Sequence, residues 1–98
     1  MDKEAILKKI RKECKNIGEK CAPHLYDAGI LGIDDLRSLG SEEAFFRMWQ
    51  KNPNKVQIHA VYLYALEGAI TSVNWATIAQ KRKEELQDYA KKLRQSYS

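Results

Sequence analysis

The chain has 98 residues, of which 44% are hydrophobic and 31% charged, and its formal net charge is +4 at pH 7. This length and composition indicate one folded globular domain, residues 1–98, and exclude a disordered or membrane protein. The longest apolar stretch is interrupted by His59, Glu67 and Gly68 and is too short to span a bilayer, and the N-terminus lacks the order of a secretory signal. We therefore expect a cytoplasmic protein that makes no contact with membranes.

The first predicted element is a basic helix over residues 2–15. Asp2 is suited to cap its N-terminus, and Asn16 with Gly18 predicts the turn that follows it. Its apolar stripe has helical spacing and consists of Ala5, Ile6, Ile10 and Cys14.

A hairpin region follows over residues 16–52. Ile17-Gly18 and Leu39-Gly40 each place an apolar residue and a glycine just before a helix-forming run. Paired glycine turns of this kind are typical of helix-hairpin-helix (SAM-like) motifs. Such motifs can hold a nucleic-acid phosphate on exposed backbone N–H groups, so they are candidate binding sites.

Three helices are predicted within the hairpin region. The first covers residues 19–28, with Pro23 in its opening turns and Gly29 at its end, and Asp34-Asp35 opens the second. Ser41 is the predicted N-cap of the third. The buried stripe of that helix is Ala44, Phe45, Met48 and Trp49.

The central helix is predicted over residues 55–73. Pro53 ends the preceding helix, and Asn54 with Gln57 resembles a capping box for this one. A helix that is apolar on nearly every face is usually surrounded by the others, and Glu67, its one charge, is expected at an edge or in an ion pair. Its large apolar residues are Val56, Ile58, Val61, Leu63, Leu66 and Ile70, together with Tyr62 and Tyr64.

A basic C-terminal helix is predicted over residues 78–95. Trp75 anchors the linker before it, and Thr77 with Gln80 again resembles a capping box. The tail Gln95-Ser96-Tyr97-Ser98 is expected to fray. The fold class is therefore all-α, a compact bundle of five or six helices around a central apolar helix.

The charge is distributed unevenly along the chain. Residues 1–15 and 79–98 each carry a net charge of +3, whereas residues 16–78 carry −2. A nucleic-acid footprint is basic where contact is made, so this distribution favours the terminal helices over the hairpins as phosphate partners.

No pattern of residues indicates catalysis, a metal or a cofactor. Cys14 and Cys21 lack C-x-x-C spacing, so we interpret them as reduced, partly buried thiols. His24 and His59 lie far apart without an acidic cluster, and no nucleophile motif or phosphate loop occurs. We predict no enzyme activity, no cofactor and no small-molecule substrate.

An ordered series of short motifs runs through residues 12–87. Its members are Asn16-Ile17-Gly18, Leu25, Ala28-Gly29-Ile30, Asp35-Leu36, Leu39-Gly40-Ser41, Ala44-Phe45 and the run from Leu63 to Ala69, with Trp75 and residues 83–86 at the end. This combination resembles the C-terminal domain of the TfoX (Sxy) family of competence regulators.

The resemblance implies an all-α domain with helix-hairpin-helix character. Full-length members carry it after a separate N-terminal α/β domain and promote expression of DNA-uptake genes in bacteria alongside the cyclic-AMP receptor protein. No such N-terminal domain precedes it in this sequence, so we expect a stand-alone module.

Two functions are compatible with the sequence. The first is a non-enzymatic regulatory module that binds a protein partner or a second copy of itself, in competence or transcription regulation. The alternative is weak, sequence-nonspecific nucleic-acid binding, against which Glu19, Glu42 and Glu43 near the hairpins would act. The candidate nucleic-acid contacts are Ile17, Gly18, Lys20, Lys8, Lys9, Arg11, Lys12, Lys81, Arg82 and Lys83.

Overall fold

A computed structural model describes residues 2–97 of the chain. These residues form six α-helices and one 3-10 helix and contain no strand, which confirms the predicted all-α class. The α-helices are α1 (Lys3–Glu13), α2 (Ala22–Asp27), α3 (Ile33–Leu39), α4 (Ser41–Lys51), α5 (Ala60–Thr71) and α6 (Gln80–Tyr97), and the 3-10 helix is Trp75–Thr77. None of the helices in this part of the chain combines the length and hydropathy that a membrane crossing requires.

The predicted central helix lies at the centre of the bundle. α5 packs against α3, α4, α6 and the 3-10 helix, while α1 packs against α2. Phe45, Leu63 and Leu66 are completely buried between these elements. The face of α5 that carries Val61 is solvent-exposed, contrary to the prediction, so α5 is surrounded by neighbours on only part of its circumference.

The start of α5 differs from the prediction by five residues. The capping box of Asn54 and Gln57 does not form, because Val56 turns into the core instead, where it is fully buried and its N–H donates to the Asn52 carbonyl oxygen (2.8 Å). His59 then adopts an extended conformation (φ −140°, ψ 135°) before the helix begins at Ala60. Burial of one valine thus outweighs the local capping signal.

Two other predicted caps are also replaced by tertiary or local contacts. Ser41 is not an N-cap; Gly40 precedes α4 with φ +83°, and the Ser41 side chain is buried against α5 and α6. The Thr77 hydroxyl donates to the Asn74 carbonyl oxygen (2.8 Å) inside the 3-10 turn, so α6 begins at Gln80 without a capping box from Thr77.

The end of α2 forms as predicted, although its start does not. Gly29 has φ +80°, and the N–H groups of Gly29 and Ile30 donate to the carbonyl oxygens of Tyr26 and Leu25 (3.0 and 2.9 Å). This is the Schellman arrangement, in which a glycine in the left-handed region ends a helix. Residues 19–21 form a turn, so the helix begins at Ala22 rather than at residue 19.

The first helix is capped as the sequence predicts. The Ala5 N–H donates to the Asp2 carboxylate (2.8 Å), and Ile10 and Cys14 are buried. Ala5, which was predicted to be part of the apolar stripe, is exposed. Leu7, which was not, is buried in the core.

Candidate functional site

The predicted first hairpin is joined to the linker that follows α5. Asn16 has φ +73°, and its side-chain amide donates to the Val73 carbonyl oxygen (2.9 Å) while its side-chain oxygen accepts from the Trp75 N–H (3.3 Å). This bridge requires a close approach at Gly68, where a Cβ atom would lie 2.4 Å from the Asn16 Nδ2 atom. The turn after α1 is therefore held by contacts with residues more than fifty positions later.

The predicted hairpin contacts differ in what they can offer a ligand. Ile17 is buried, and its N–H already donates to the Cys14 carbonyl oxygen (3.2 Å). Gly18 and Lys20 are exposed. Of the three predicted contacts, Gly18 and Lys20 are therefore accessible at the surface, whereas the Ile17 N–H is used within the turn.

The basic side chains of the two terminal helices lie in different surroundings. Lys8, Lys9 and Lys12 are exposed on α1, which packs on α2, and the Lys9 side chain lies beside Gly32 together with the Glu13 carboxylate. Arg11 is half-buried on the same helix. Lys81 is exposed at the start of α6, which packs on α5.

Arg82 is held in an ion-pair cluster that joins α4, α5 and α6. Its guanidinium lies 3.1 Å from the Glu67 carboxylate and 2.8 Å from that of Glu42, and the buried Ser41 hydroxyl donates to Glu67 (2.9 Å). Burial acts to raise the pKa of Glu67, but the hydrogen bonds from Arg82 and Ser41 outweigh it, and the pKa is lowered. Glu67 is therefore paired as the sequence predicts. The guanidinium of Arg82 is used in this cluster, where it joins α6 to α4 and α5.

Lys83 and the first hairpin meet around Trp75, a residue not among the predicted contacts. The Trp75 side chain is 43% exposed, and its ring is parallel to that of Tyr64, with 6.3 Å between ring centroids. The Lys83 ammonium lies 5.8 Å from the Tyr64 ring centroid and donates to the Ala76 carbonyl oxygen. We call the surface formed by Asn16, Trp75 and Lys83 the hairpin face.

A second surface, which the sequence did not indicate, is an open groove of about 600 Å³ at another part of the bundle. Its aromatic wall is formed by Trp49 and Tyr97, whose ring centroids are 4.6 Å apart at 59°. Tyr97 belongs to the last turn of α6, which continues past the predicted end at residue 95 instead of fraying. We call this the aromatic groove, lined by Trp49, Pro53, Val56, Gln57, Ile58, His59, Arg94 and Tyr97.

The aromatic groove has basic and apolar character. The two segments that line it, residues 49–59 and 94–97, contain Lys51, Lys55, His59 and Arg94 but no Asp or Glu. One guanidinium nitrogen of Arg94 donates to the Ile58 carbonyl oxygen (3.2 Å), which holds the end of α6 against the segment before α5. The groove therefore combines an aromatic wall with a fixed positive charge.

The two cysteines are free thiols, with Cys14 buried and Cys21 half-buried. Burial raises the pKa of each thiol to about 11. Within residues 2–97, no three His, Cys, Asp or Glu side chains are grouped so as to hold a metal ion.

Comparison with known proteins identifies the family. The model of the TfoX C-terminal domain matches residues 4–90. The chain belongs to the TfoX C-terminal domain family. No protein with a curated description matches it.

Two crystal structures from Listeria monocytogenes resemble this TfoX C-terminal domain. A triclinic form of an uncharacterized protein is 34% identical, with a TM-score of 0.77, and the match covers 85% of this chain and 91% of that one. A tetragonal form of a protein of unknown function is also 34% identical, with a TM-score of 0.76 and coverage of 84% and 96%. Both support the helical architecture described above.

Proposed function

We propose that this TfoX C-terminal domain is a non-enzymatic regulatory module that acts by binding a protein partner in the bacterial cytoplasm, in the control of competence genes or their transcription. Membership of the family supports the regulatory role. The observation that carries the binding role is the aromatic groove, in which Trp49 and Tyr97 present apolar surface around an open cavity. Aromatic and arginine side chains at a concave surface are the residues that dominate protein interfaces.

Photo-cross-linking in the source bacterium tests this proposal. A photoreactive amino acid at Gln57, in the groove, is compared with one at Lys15, which is exposed at the end of α1. The protein captured only through position 57 is then purified, and its dissociation constant for the domain is measured. We expect Trp49→Ala to raise this constant at least about tenfold, as loss of an interface aromatic does.

Leu31→Ala provides the matched control, because Leu31 is another exposed hydrophobic residue but lies outside the groove. It should leave the dissociation constant unchanged. Trp49→Ala should also change expression of the DNA-uptake genes as deletion of the domain does. Equal capture from both positions, or equal affinity of Trp49→Ala and wild type, would refute the proposed function.

The alternative, weak nonspecific nucleic-acid binding, is supported by one observation at the hairpin face. Trp75 stacks on Tyr64 and is 43% exposed, and the Lys83 ammonium lies 5.8 Å from the Tyr64 ring centroid. Exposed aromatic rings beside cations bind the bases of single strands. This alternative predicts a salt-dependent affinity for single-stranded oligonucleotides.

The residues that contribute to such binding are separable by substitution. Charge reversal at Lys8, Lys9 and Lys12 should flatten the salt dependence if α1 meets the phosphates, whereas Trp75→Ala should weaken binding at every salt concentration. The absence of any shift of single-stranded or duplex DNA at low salt would exclude this function.

A further inference from the structure

We propose that the aromatic groove binds an extended, acidic segment of the partner protein, with an apolar side chain beside Trp49 and Tyr97 and a side-chain carboxylate on Arg94. This inference rests on the proposed function, since it names what the same groove recognises. Three features of the groove carry it: its charge, the donors of Arg94 and the backbone of residues 57–59.

The charge of the groove selects for carboxylates. Residues 49–59 and 94–97 carry only basic charges, and the one carboxylate that bonds to these segments within residues 2–97, that of Asp27, is engaged by the Asn52 side-chain amide (3.2 Å). An acidic ligand therefore meets a net attraction from the two segments. Arg82 and Lys92 are paired with Glu67 and Asp88 (3.1 and 2.9 Å), whereas Arg94 forms no ion pair within residues 2–97. A complementary charge across an interface speeds encounter and excludes partners of the wrong sign.

Arg94 provides a fixed donor for one carboxylate. Its guanidinium has five N–H groups, and the bond from Nη1 to the Ile58 carbonyl oxygen holds it at the groove. The remaining donors have the planar geometry that matches two carboxylate oxygens. An arginine that is already positioned loses less conformational entropy when it binds.

The backbone of residues 57–59 favours an extended ligand over a helical one. The N–H groups of Gln57, Ile58 and His59 make no hydrogen bond to another residue in the described residues 2–97. His59 is extended, with φ −140° and ψ 135°. A strand can supply free carbonyl oxygens to alternate N–H groups of such a segment, whereas the carbonyl oxygens of a helix are used within the helix.

Titration with matched peptides tests this inference. The probes are two synthetic peptides of about ten residues in which apolar residues alternate with glutamate in one and with lysine in the other, a spacing that suits an extended strand. Both carry acetyl and amide ends, so that the two peptides differ only in their charged side chains. Binding to the full chain is followed by amide chemical shifts, and the peptide conformation by the pattern of its own NOEs.

We expect the acidic peptide to bind at least about tenfold more tightly than the basic one and to shift the signals of residues 49–59 and 94–97. Arg94→Gln should weaken the acidic peptide about tenfold, as loss of a charged hydrogen-bond partner does. The control is Arg47→Gln, because Arg47 is an exposed arginine on α4 beside Gly29 and Leu39, away from the groove. It should leave the affinity unchanged.

Other outcomes overturn the inference in distinct ways. Equal affinity for both peptides, a bound peptide that is helical, shifts outside the groove, or a dimer in which a second copy covers Trp49 would each exclude an extended acidic ligand. If the cross-linked partner still requires Trp49 in those cases, the proposed function stands and only its ligand chemistry is wrong. If the partner binds independently of Trp49, both proposals fail.

Discussion

Trp75 and Trp49 mark two regions of this domain that differ in shape. At the hairpin face, Trp75 lies parallel to Tyr64 (6° between ring planes) and remains 43% exposed. At the aromatic groove, Trp49 and Tyr97 are tilted at 59° around an open cavity. An exposed stacked ring suits another planar ring, whereas a concave surface suits an inserted side chain, so the two proposed functions make different demands on the same residue type.

The two regions also differ in how their backbone is used. At the hairpin face, Asn16 ties the chain to Val73 and Trp75 through its side-chain amide. At the groove, the N–H groups of residues 57–59 have no acceptor within residues 2–97. The backbone at the hairpin face is therefore held by internal hydrogen bonds, whereas the N–H groups of residues 57–59 at the groove are not used in this way.

The largest effect should come from the core that both regions share. Phe45 is completely buried and packs against Tyr62, with 6.1 Å between ring centroids. We expect Phe45→Ala to lower the free energy of unfolding by about 3–5 kcal/mol, since it leaves a large cavity. In urea, the indole N–H signals of Trp49 and Trp75 should lose intensity with the same midpoint; separate midpoints would show that the two regions unfold independently.

The next largest effect should come from Gly68→Ala, which changes the linker at the hairpin face but not the groove. A Cβ atom on Gly68 would lie 2.8 Å from the Val73 carbonyl oxygen, which cannot move without shifting the linker. We expect Gly68→Ala to cost about 1–3 kcal/mol of unfolding free energy and to shift the NMR signals of Trp75 but not those of Trp49.

Gly18→Ala is the matched control for Gly68→Ala. A Cβ atom at Gly18 meets nothing within 4 Å, so its effect should stay within about 0.5 kcal/mol. Equal losses from the two substitutions would contradict the close approach at Gly68.

The third prediction concerns the cluster of Glu67, Ser41 and Arg82, which fixes α6 and with it one wall of the groove. Arg82→Met leaves the mostly buried Glu67 carboxylate without its cation, and we expect a loss of about 1–2 kcal/mol at pH 7. Lys92→Met breaks an exposed pair with Asp88 and should cost less than about 0.5 kcal/mol.

Acid titration provides an independent check of the same cluster. The folded-state pKa of Glu67 is lowered from 4.5, so its contribution to stability is present above that value and is lost as the pH falls through the lower folded pKa. Chemical denaturation between pH 6 and acid should therefore show a shallower decline in Arg82→Met than in wild type. An identical decline would mean that Arg82 does not lower this pKa.

At neutral pH the smallest effect should come from the thiols beside the first hairpin, because they change the stability only in alkaline solution. Because burial raises the pKa of Cys14 and Cys21 from 9.0 to about 11, the unfolded state releases these protons first. Stability should be unaffected by the thiols below pH 9 and should fall as the pH rises from 9 to 11. The Cys14→Ala, Cys21→Ala double variant should lose this part of the decline in urea titrations; an unchanged decline would argue against buried, protonated thiols.

The fold was predictable where the signal is local. The Asp2 cap and the Gly29 turn depend on residues within one helical turn, and both form as predicted. The predictions at Ser41 and Asn54 were wrong because distant contacts compete there. Ser41 bonds to Glu67 across the bundle, and the chain after Asn54 is set by burial of Val56.

The sites were harder to predict, because each is assembled from residues far apart in sequence. The nucleic-acid contacts predicted from the sequence include Arg82, whose charge is already paired with a carboxylate. They omit Trp75, which is exposed in the linker before α6. The sequence did not indicate the groove because its two lining segments, residues 49–59 and 94–97, lie more than thirty residues apart. In addition, the C-terminal segment that contains Tyr97 was expected to fray. Neither segment contains an acidic residue, which is a signal of a basic surface that can be read from the sequence. Only the fold, however, brings the two segments together.

Tyr97 lies in the last turn of α6, so the groove exists only when α6 is folded against residues 49–59. A partner that binds there binds only the native state, so it adds RT ln(1 + [L]/Kd) to the free energy of unfolding, about 2.7 kcal/mol at a hundred times Kd. A marginally stable domain would then survive cellular proteases longer when its partner is abundant. The amount of this protein in the cell would follow the supply of its partner.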